Sequence, residues 1–363
     1  MKERVEYLDI FKGFLIILTV IGHSPLCPSS WIIFIYSFHM IAFFAAYGGV
    51  YDLERHCIGL NDFVDFKCFV VKRAKRLLVP YIIWALIYNS PEWENILLIL
   101  YGSSETLTKA GGLSSLWYLP CMFVAVVMFE GYIYLVVRKQ GKEIRKIYAL
   151  FFLALLMVSI GFILPVFRQG DAFFGFQAGT PWGVRSAFMA CGFIAIGWLM
   201  NGVAMRIRRL GCRIKLPICF LAATISFFTL CMTCNTNMNY ITTTHHVALS
   251  RASYGNPLLF LLDAGCGIVG VLALSLIVEE VFSRHLKWVR NVFCAIGANT
   301  MGIFLLHKRI VMRLGKIVSE HNGSGIKWMF VIVALSIMIS FALTMLIKSV
   351  IPELIGEEKR ERI

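Results

Sequence analysis

The sequence predicts an all-α integral membrane protein, a single bundle of about ten transmembrane helices with both termini in the cytoplasm. Composition is the first observation behind this prediction. Of the 363 residues, 58% are hydrophobic and 15% are charged, and the mean hydropathy is +0.74. A soluble domain lies closer to half apolar and a quarter charged. The composition therefore excludes a disordered chain, a nucleic-acid-binding tail and a small disulfide scaffold.

The second observation is a series of apolar runs, each near the roughly 20 residues that a helix needs to cross a bilayer. Ten such runs follow one another along the chain: 10–26, 31–51, 77–90, 116–137, 147–167, 186–204, 217–234, 257–281, 292–307 and 328–347. The runs 77–90 and 292–307 are the weakest, because the first is short and the second carries Asn299 and Thr300. We expect one transmembrane domain over 1–350 and a short charged cytoplasmic tail over 351–363.

The third observation is the placement of the 35 Lys and Arg residues, which outnumber 21 Asp and Glu and give a net charge of +14. With a cytoplasmic N-terminus, most of these cations fall in cytoplasmic loops, as the positive-inside rule requires. The exception is the segment 308–327, a predicted outer loop rich in Lys and Arg. Either its cations line a cavity or the ninth span lies elsewhere. The first apolar run has no small-residue cleavage site after it, so we expect it to remain as the first span.

The eleven cysteines indicate neither a disulfide framework nor a metal centre. Most lie inside apolar runs, where cysteine behaves as a small hydrophobic residue. Cys231 and Cys234 form one CxxC, followed by His245 and His246. A zinc site there is conceivable, but the spacing matches no standard finger and no second CxxC is present. We therefore expect no metal.

Ionisable residues inside predicted spans usually face a bundle interior or a wet cavity, and each marks a candidate functional site. There are six of them: Lys12, His23, His39, Glu130, Asp263 and His307. Lys12 and His23 would lie about 16 Å apart along one helix and about 20° apart around it. A single stripe would then present a cation at the cytoplasmic mouth and a titratable base near the outer end. The alternative is that Lys12 snorkels to the interface and His23 caps the helix before Pro25.

Two further positions extend this pattern. The second span returns from the outer side, so His39 is expected to face His23 across a helical hairpin. The alternative is that His39 has a structural role and packs against a neighbouring helix. On the cytoplasmic side, the basic segment 72–76 reads KRAKR, and a helix would bring Arg73 and Arg76 to one face. Guanidinium groups suit phosphate oxygens, although such a segment also serves simply as a positive-inside signal.

The opening YLDIFKGFLIILTVIGH, followed by FIYSFHMIAFFAAYGGVY, resembles the membrane-bound acyltransferase family 3, in which Lys or Arg, ten residues and His mark the first span. Further segments resemble the family in the same order: KRAKRLLVPYIIW, LWYLPCMF, TPWGV, FIAIGWLM, YGNPLLFLLDAGCGIVGVLALS and IGANTMGIFLLH. The resemblance covers nearly the whole chain and is closest to the sugar O-acetyltransferase branch, of the fucose 4-O-acetylase type. Two departures are Ile41, where the family usually has Pro, and Arg185, which would alter an acceptor pocket.

The resemblance implies transfer of an acetyl group from cytoplasmic acetyl-CoA to a hydroxyl of an envelope or exported glycan, or of its lipid-linked precursor. It further implies a multi-pass protein of the cell membrane, and a homo-oligomer is compatible with it. Lys12, His23, Arg73 and Arg76 match the functional motifs of the family. Lys12, Arg73 and Arg76 would hold the CoA phosphates, and His23 would act as general base or carry the acetyl group.

The roles of the other polar residues stay open at this point. His39 would orient His23 or the acceptor, or stabilise the oxyanion. Asp263 and Glu130 are weaker candidates for orienting a histidine. Two other functions fit the sequence. A transporter or flippase would use the intramembrane His and Asp residues as a proton relay, and a membrane sensor would tolerate changes at His23 and Arg73.

Overall fold

The computed structural model describes residues 5–60, 62–89, 92–111, 114–164, 178–242, 244–284 and 286–358. These residues form helices and connecting turns without a β-strand, so the predicted all-α class is confirmed. The end of the predicted span 147–167, at residues 165–167, and residues 359–363 of the predicted tail lie outside the described residues.

Fifteen α-helices follow one another in the described residues: α1 Glu6–Gly22, α2 Ser29–Tyr36, α3 His39–Val50, α4 Leu53–Gly59, α5 Phe63–Tyr88, α6 Trp93–Tyr101, α7 Ser104–Lys109, α8 Tyr118–Leu135, α9 Glu143–Ile163, α10 Val184–Arg208, α11 Cys212–Met238, α12 Pro257–Arg284, α13 Lys287–Ala298, α14 Thr300–Glu320 and α15 Ile326–Val350. Short 3₁₀ turns lie at Ser114–Trp117, Val137–Lys139, Pro181–Gly183, Leu249–Arg251 and Pro352–Ile355.

Within the described residues, seven helical segments are long and apolar enough to cross a membrane. They are Ser29–Val50, Ser114–Lys139, Glu143–Ile163, Pro181–Arg208, Cys212–Met238, Pro257–Ser283 and Ile326–Val350. An eighth is added if α13 and α14, which meet at an 83° bend, form one broken span. The protein is therefore a multi-pass membrane protein, while the number ten and the cytoplasmic termini stay predictions.

Two elements differ from the sequence-based bounds. The weak span 77–90 is the second half of α5, which begins at Phe63, where the Asp62 side chain accepts the Asp65 backbone N–H at 2.9 Å. An N-cap therefore starts the helix far upstream of the apolar run, and the basic segment 72–76 is helical. The span 292–307 is divided by the bend at Asn299, and the segment 308–327 is not a loop throughout, because α14 continues to Glu320.

The helices form two compact units. Unit 1 comprises Met1–Val50, Met200–Ala248 and Ser253–Thr344, and unit 2 comprises Tyr51–Leu199, Leu249–Ala252 and Met345–Ile363. The predicted single domain over 1–350 stays a prediction.

Helix α1 is the centre of unit 1, since most of its side chains are buried around its whole circumference. Glycines let its backbone contact α13 directly. A Cβ atom at Gly297 would lie 1.7 Å from the Asp9 carbonyl oxygen, and one at Gly13 would lie 2.7 Å from that of Phe293. Gly267 of α12 makes room for Phe38 in the same way, with 2.0 Å from its Cβ position to the Phe38 ring. The approach at Gly267 brings the α2–α3 corner against α12.

In unit 2, α5 packs along α8, and the 3₁₀ turn Pro352–Ile355 packs along α5. Arg185 closes the end of α9, since its Nε donates to the Gly161 carbonyl oxygen at 3.3 Å and its Nη2 to that of Phe162 at 3.5 Å. A cation at a helix C-terminus is favourable because the last carbonyls carry partial negative charge. Arg185 therefore has a structural contact that the sequence comparison with the family did not indicate.

Candidate active site

Three histidines of unit 1 gather around Tyr36, and a fourth contacts one of them. Ring centroids lie 4.8 Å apart for Tyr36 and His39, 4.4 Å for Tyr36 and His246, and 6.2 Å for Tyr36 and His23. His307 contacts His23 edge to face, at 5.1 Å. We call these five residues the histidine cluster. The predicted pair His23 and His39 therefore lies in one cluster, with Tyr36 between their rings.

Three of these histidines are held in the same way. The Nδ1 atoms of His23 and His39 each lie 2.8 Å from the carbonyl oxygen four residues earlier, at Thr19 and Ile35. Nδ1 of His307 lies 2.8 Å from the Phe304 carbonyl oxygen. A carbonyl oxygen only accepts, so Nδ1 carries the hydrogen and Nε2 is left with its lone pair in the neutral ring. In the neutral form, Nε2 is therefore the nitrogen of each ring that can accept a hydrogen bond.

Accessibility separates His23 from the others. His39 is 1% exposed and His307 is 0% exposed, whereas His23 is only partly buried. Nε2 of His307 is buried and has no hydrogen-bond partner in the part of the chain that the structure describes. An unpaired buried polar atom is costly and often marks a functional position. His23 is therefore the accessible member of this trio, and His307 lies beside it on the buried side.

The local sequence explains why these side chains converge. Helix α1 ends at Gly22, and the chain turns through Pro25 and Pro28 before α2 begins at Ser29. A Cβ atom at Gly22 would lie 2.8 Å from the Tyr36 ring, so glycine is what lets this ring lie beside the end of α1. Gly315 of α14 contacts Pro25 just as closely, at 2.4 Å from its Cβ position. Small residues thus bring α1, α2 and α14 together.

Cys27, in the loop that joins α1 to α2, is the cysteine nearest in sequence to His23. Burial raises the pKa of the Cys27 thiol to about 11. A thiol with that pKa is protonated at neutral pH and is a poor nucleophile. Cys27 is therefore a weak candidate for carrying an acyl group.

The predicted cation of α1, Lys12, forms an ion pair with Asp9 one turn earlier, with 2.7 Å between Lys12 Nζ and Asp9 Oδ1. The Lys12 side chain is 25% exposed, and the Asp9 side chain is 10% exposed. Sequence reasoning missed this carboxylate, although the i, i+3 spacing would have indicated it.

Arg73 and Arg76 lie in unit 2 on α5, one turn apart. The Arg73 guanidinium lies over the Phe69 ring at 4.9 Å, and the Arg76 Nε donates to the Gly356 carbonyl oxygen at 3.2 Å. The predicted helical spacing of the two arginines is therefore present.

Two buried carboxylates have different partners. Glu130 is fully buried, and its two oxygens lie 2.6 Å from Nδ1 of His56 and 2.6 Å from the Tyr51 hydroxyl. Glu130 thus orients a histidine, but the residue is His56 of α4, which lies outside every predicted span. Asp263 accepts a hydrogen bond from Thr233 instead.

No group of three or more His, Cys, Asp or Glu side chains in the described residues could hold a metal ion. His246, considered with Cys231 and Cys234 for zinc, packs against Tyr36. The sequence had singled out His307 as an intramembrane histidine but had not placed it beside His23. It missed Tyr36 and His246 as members of the cluster, because Tyr36 entered only as part of a family-like segment and His246 only beside the CxxC.

Comparison with known proteins places this chain in a family. A family model described as an acyltransferase domain matches residues 5–347. The chain belongs to the acyltransferase-3 family. As a member of that family it is a membrane acyltransferase, which acts on an acyl donor and an acceptor at the bilayer. No curated protein matched the sequence. The sugar O-acetyltransferase branch stays a prediction.

Proposed function

We propose that this acyltransferase moves an acetyl group from acetyl-CoA to a hydroxyl of an envelope or exported glycan, or of its lipid-linked precursor, in the cell membrane. The observation that carries the proposal is the histidine cluster, with a partly exposed His23 whose Nδ1 is fixed on a backbone carbonyl. The glycan acceptor is supported by the ordered motifs that resemble the sugar O-acetyltransferase branch.

In the proposed reaction, His23 Nε2 takes the proton of the acceptor hydroxyl as the oxygen attacks the thioester carbonyl carbon. The C–S bond then breaks, and the CoA thiolate leaves and takes the proton from the His23 imidazolium. The products are the O-acetyl ester and CoA thiol, so no other reactant is needed. A general base of this kind contributes about 10²–10⁴-fold to a rate. The same Nε2 would be the nucleophile if an acetyl-histidine forms.

The other members of the cluster support this base. His39 and His307 are buried and lie beside Tyr36 and His23, so they fix where those rings stand. We propose that they are positioning residues and that the partly exposed His246 contacts the acceptor.

For the donor, we propose that Arg73 and Arg76 bind phosphate oxygens of CoA. Their support is the helical one-turn spacing on α5 and the forked donor geometry of guanidinium. Lys12 is proposed as a further phosphate contact at the other end of α1 from His23. The rise between Lys12 and His23 is about 16 Å, which a pantetheine arm can cover.

The first test compares acetyl transfer in wild type and His23→Ala, using labelled acetyl-CoA and membranes that contain the acceptor. We expect His23→Ala to lose at least about 100-fold in rate, because it removes the base. His321→Ala is the matched control: the His321 Nδ1 also lies 2.9 Å from a carbonyl oxygen, that of Ile317, but the residue is exposed and outside the cluster. Full activity of His23→Ala would refute the mechanism.

The second test addresses the donor. Arg73→Gln and Arg76→Gln should each raise the KM for acetyl-CoA by about tenfold, equivalent to about 1.4 kcal/mol, while kcat changes little. The exposed Lys75 lies between them on α5, so Lys75→Gln is the control for lost positive charge alone. An unchanged KM in both variants would show that Arg73 and Arg76 do not bind the CoA phosphates.

The transporter interpretation predicts a different result from the same membranes. It requires acceptor to accumulate across the bilayer without any acetyl donor, and it requires no labelled ester. The family match favours the enzyme.

A further inference from the structure

The segment 352–358 follows α15 and lies on α5 within unit 2. Pro352, Ile355 and Gly356 are buried, which is unexpected for a charged tail. Trp84 Nε1 donates to the Leu354 carbonyl oxygen at 2.8 Å, and Arg76 Nε donates to that of Gly356 at 3.2 Å. We call this segment the C-terminal turn. It begins after residue 347, where the region matched by the acyltransferase family ends.

Gly356 fits this contact for two separate reasons. Its φ of +71° lies in the left-handed region, which side chains disfavour. A Cβ atom there would also lie 2.3 Å from the Arg76 carbonyl oxygen. Any residue with a side chain at this position would therefore force the turn away from α5 and break the bond to Arg76.

Two ion pairs also join the C-terminal turn to the helices beside it. Lys348 Nζ lies 2.5 Å from Glu357 Oε1, and both side chains are about one-third exposed, at 35% and 34%. The outer pair, Lys72 and Glu358, is 3.5 Å apart and more than 60% exposed on both sides, so it contributes little. The buried Trp84 and Gly356 contacts therefore hold the turn in place.

The bond to Gly356 uses the Nε–H of Arg76. A guanidinium has five donors in one rigid plane, so a bond at Nε to a fixed carbonyl sets the plane and leaves the Nη fork for a ligand. A pre-oriented fork loses less conformational entropy when it binds a phosphate than a mobile one does.

We propose that the C-terminal turn is a positioning element of the donor site, which orients Arg76 for the phosphate of acetyl-CoA. This inference rests on the proposed function for the donor and adds to it a segment outside the matched family region. The turn itself supplies no group to the reaction. It acts through Arg76, so its loss should weaken donor binding without slowing the chemical step.

The test measures the Kd for CoA on the purified full-length protein, together with the KM and kcat for acetyl-CoA. Gly356→Ala should raise both Kd and KM at least about fivefold and leave kcat within about twofold. Gly325→Ala is the matched control, because Gly325 also has a positive φ, of +83°, but nothing lies within 4 Å of its Cβ position. A chain ending at Ile351 should behave like Gly356→Ala.

A double-mutant comparison separates positioning from general destabilisation. In the Arg76→Gln background, Gly356→Ala should raise Kd no further, since the residue that the turn orients is already gone. An equal rise in both backgrounds, or no rise in wild type, would overturn the positioning role. Wild-type protein that binds no CoA would instead refute the proposed donor, and the positioning role with it. Thermal unfolding of all variants identifies any that fail to fold.

Discussion

At the scale of single residues, the candidate site depends on which nitrogen each histidine presents. His23, His39 and His307 donate Nδ1–H to backbone carbonyls of their own helix turn, so Nε2 is the nitrogen that keeps its lone pair in each ring. Tyr36 lies among these rings, and its hydroxyl is 3.5 Å from the Gly22 carbonyl oxygen, a long contact. The ring of Tyr36 is therefore expected to matter more than its hydroxyl.

Tyr36→Phe should keep acetyl transfer within about threefold of wild type, because it keeps the ring contacts and loses only a weak bond. Tyr36→Ala should lower the rate at least about tenfold, since it leaves a cavity beside His39 and His23. The measurement is the initial rate at saturating acetyl-CoA, corrected for the amount of folded protein. An inactive Tyr36→Phe would show that the hydroxyl takes part in the reaction.

At the scale of elements, unit 1 is held by helix pairs whose backbones touch at glycines. The closest approach is between α1 and α13, where the Cβ position of Gly297 lies 1.7 Å from the Asp9 carbonyl oxygen. Asp9 is also the ion-pair partner of Lys12, so this packing contact adjoins a candidate donor residue.

Gly297→Ala should lower the thermal unfolding midpoint clearly, because the added methyl group pushes α13 away from α1 at a cost of about 1–3 kcal/mol. Gly265→Ala in α12 is the control, since nothing lies within 4 Å of its Cβ position. That change should be neutral or stabilising by up to about 1 kcal/mol, as alanine is the better helix former. Equal midpoints for the two variants in detergent would contradict the close packing.

At the scale of the whole molecule, the charge distribution predicts which parts face the cytoplasm. The basic segment 72–76 and its neighbour Cys68, which is exposed on α5, belong to a predicted cytoplasmic segment. The positive-inside rule assigns this side from the excess of Lys and Arg.

A variant that keeps Cys68 as its single cysteine should react with a membrane-impermeant maleimide only after the cells are permeabilised. In the same cysteine-free background, Thr242→Cys, at an exposed position of a predicted outer loop, should react in intact cells. The reverse labelling pattern would contradict the predicted topology and support the opposite orientation. It would also place Arg73 and Arg76 on the wrong side for cytoplasmic acetyl-CoA.

The sequence determined by itself that this protein is an all-α membrane protein with several apolar helices, and which family it resembles. These features are local, because hydrophobicity along about 20 residues suffices to choose a bilayer-spanning helix. It also predicted that His23 and His39 face one another, and the structure places the Tyr36 ring beside both of them. The tertiary structure decided the rest: that His307 and His246 join them, that Glu130 holds His56, and that the C-terminal turn lies on Arg76. These partners are up to 284 residues apart in the chain, as for His23 and His307, so no local pattern in the sequence pairs them.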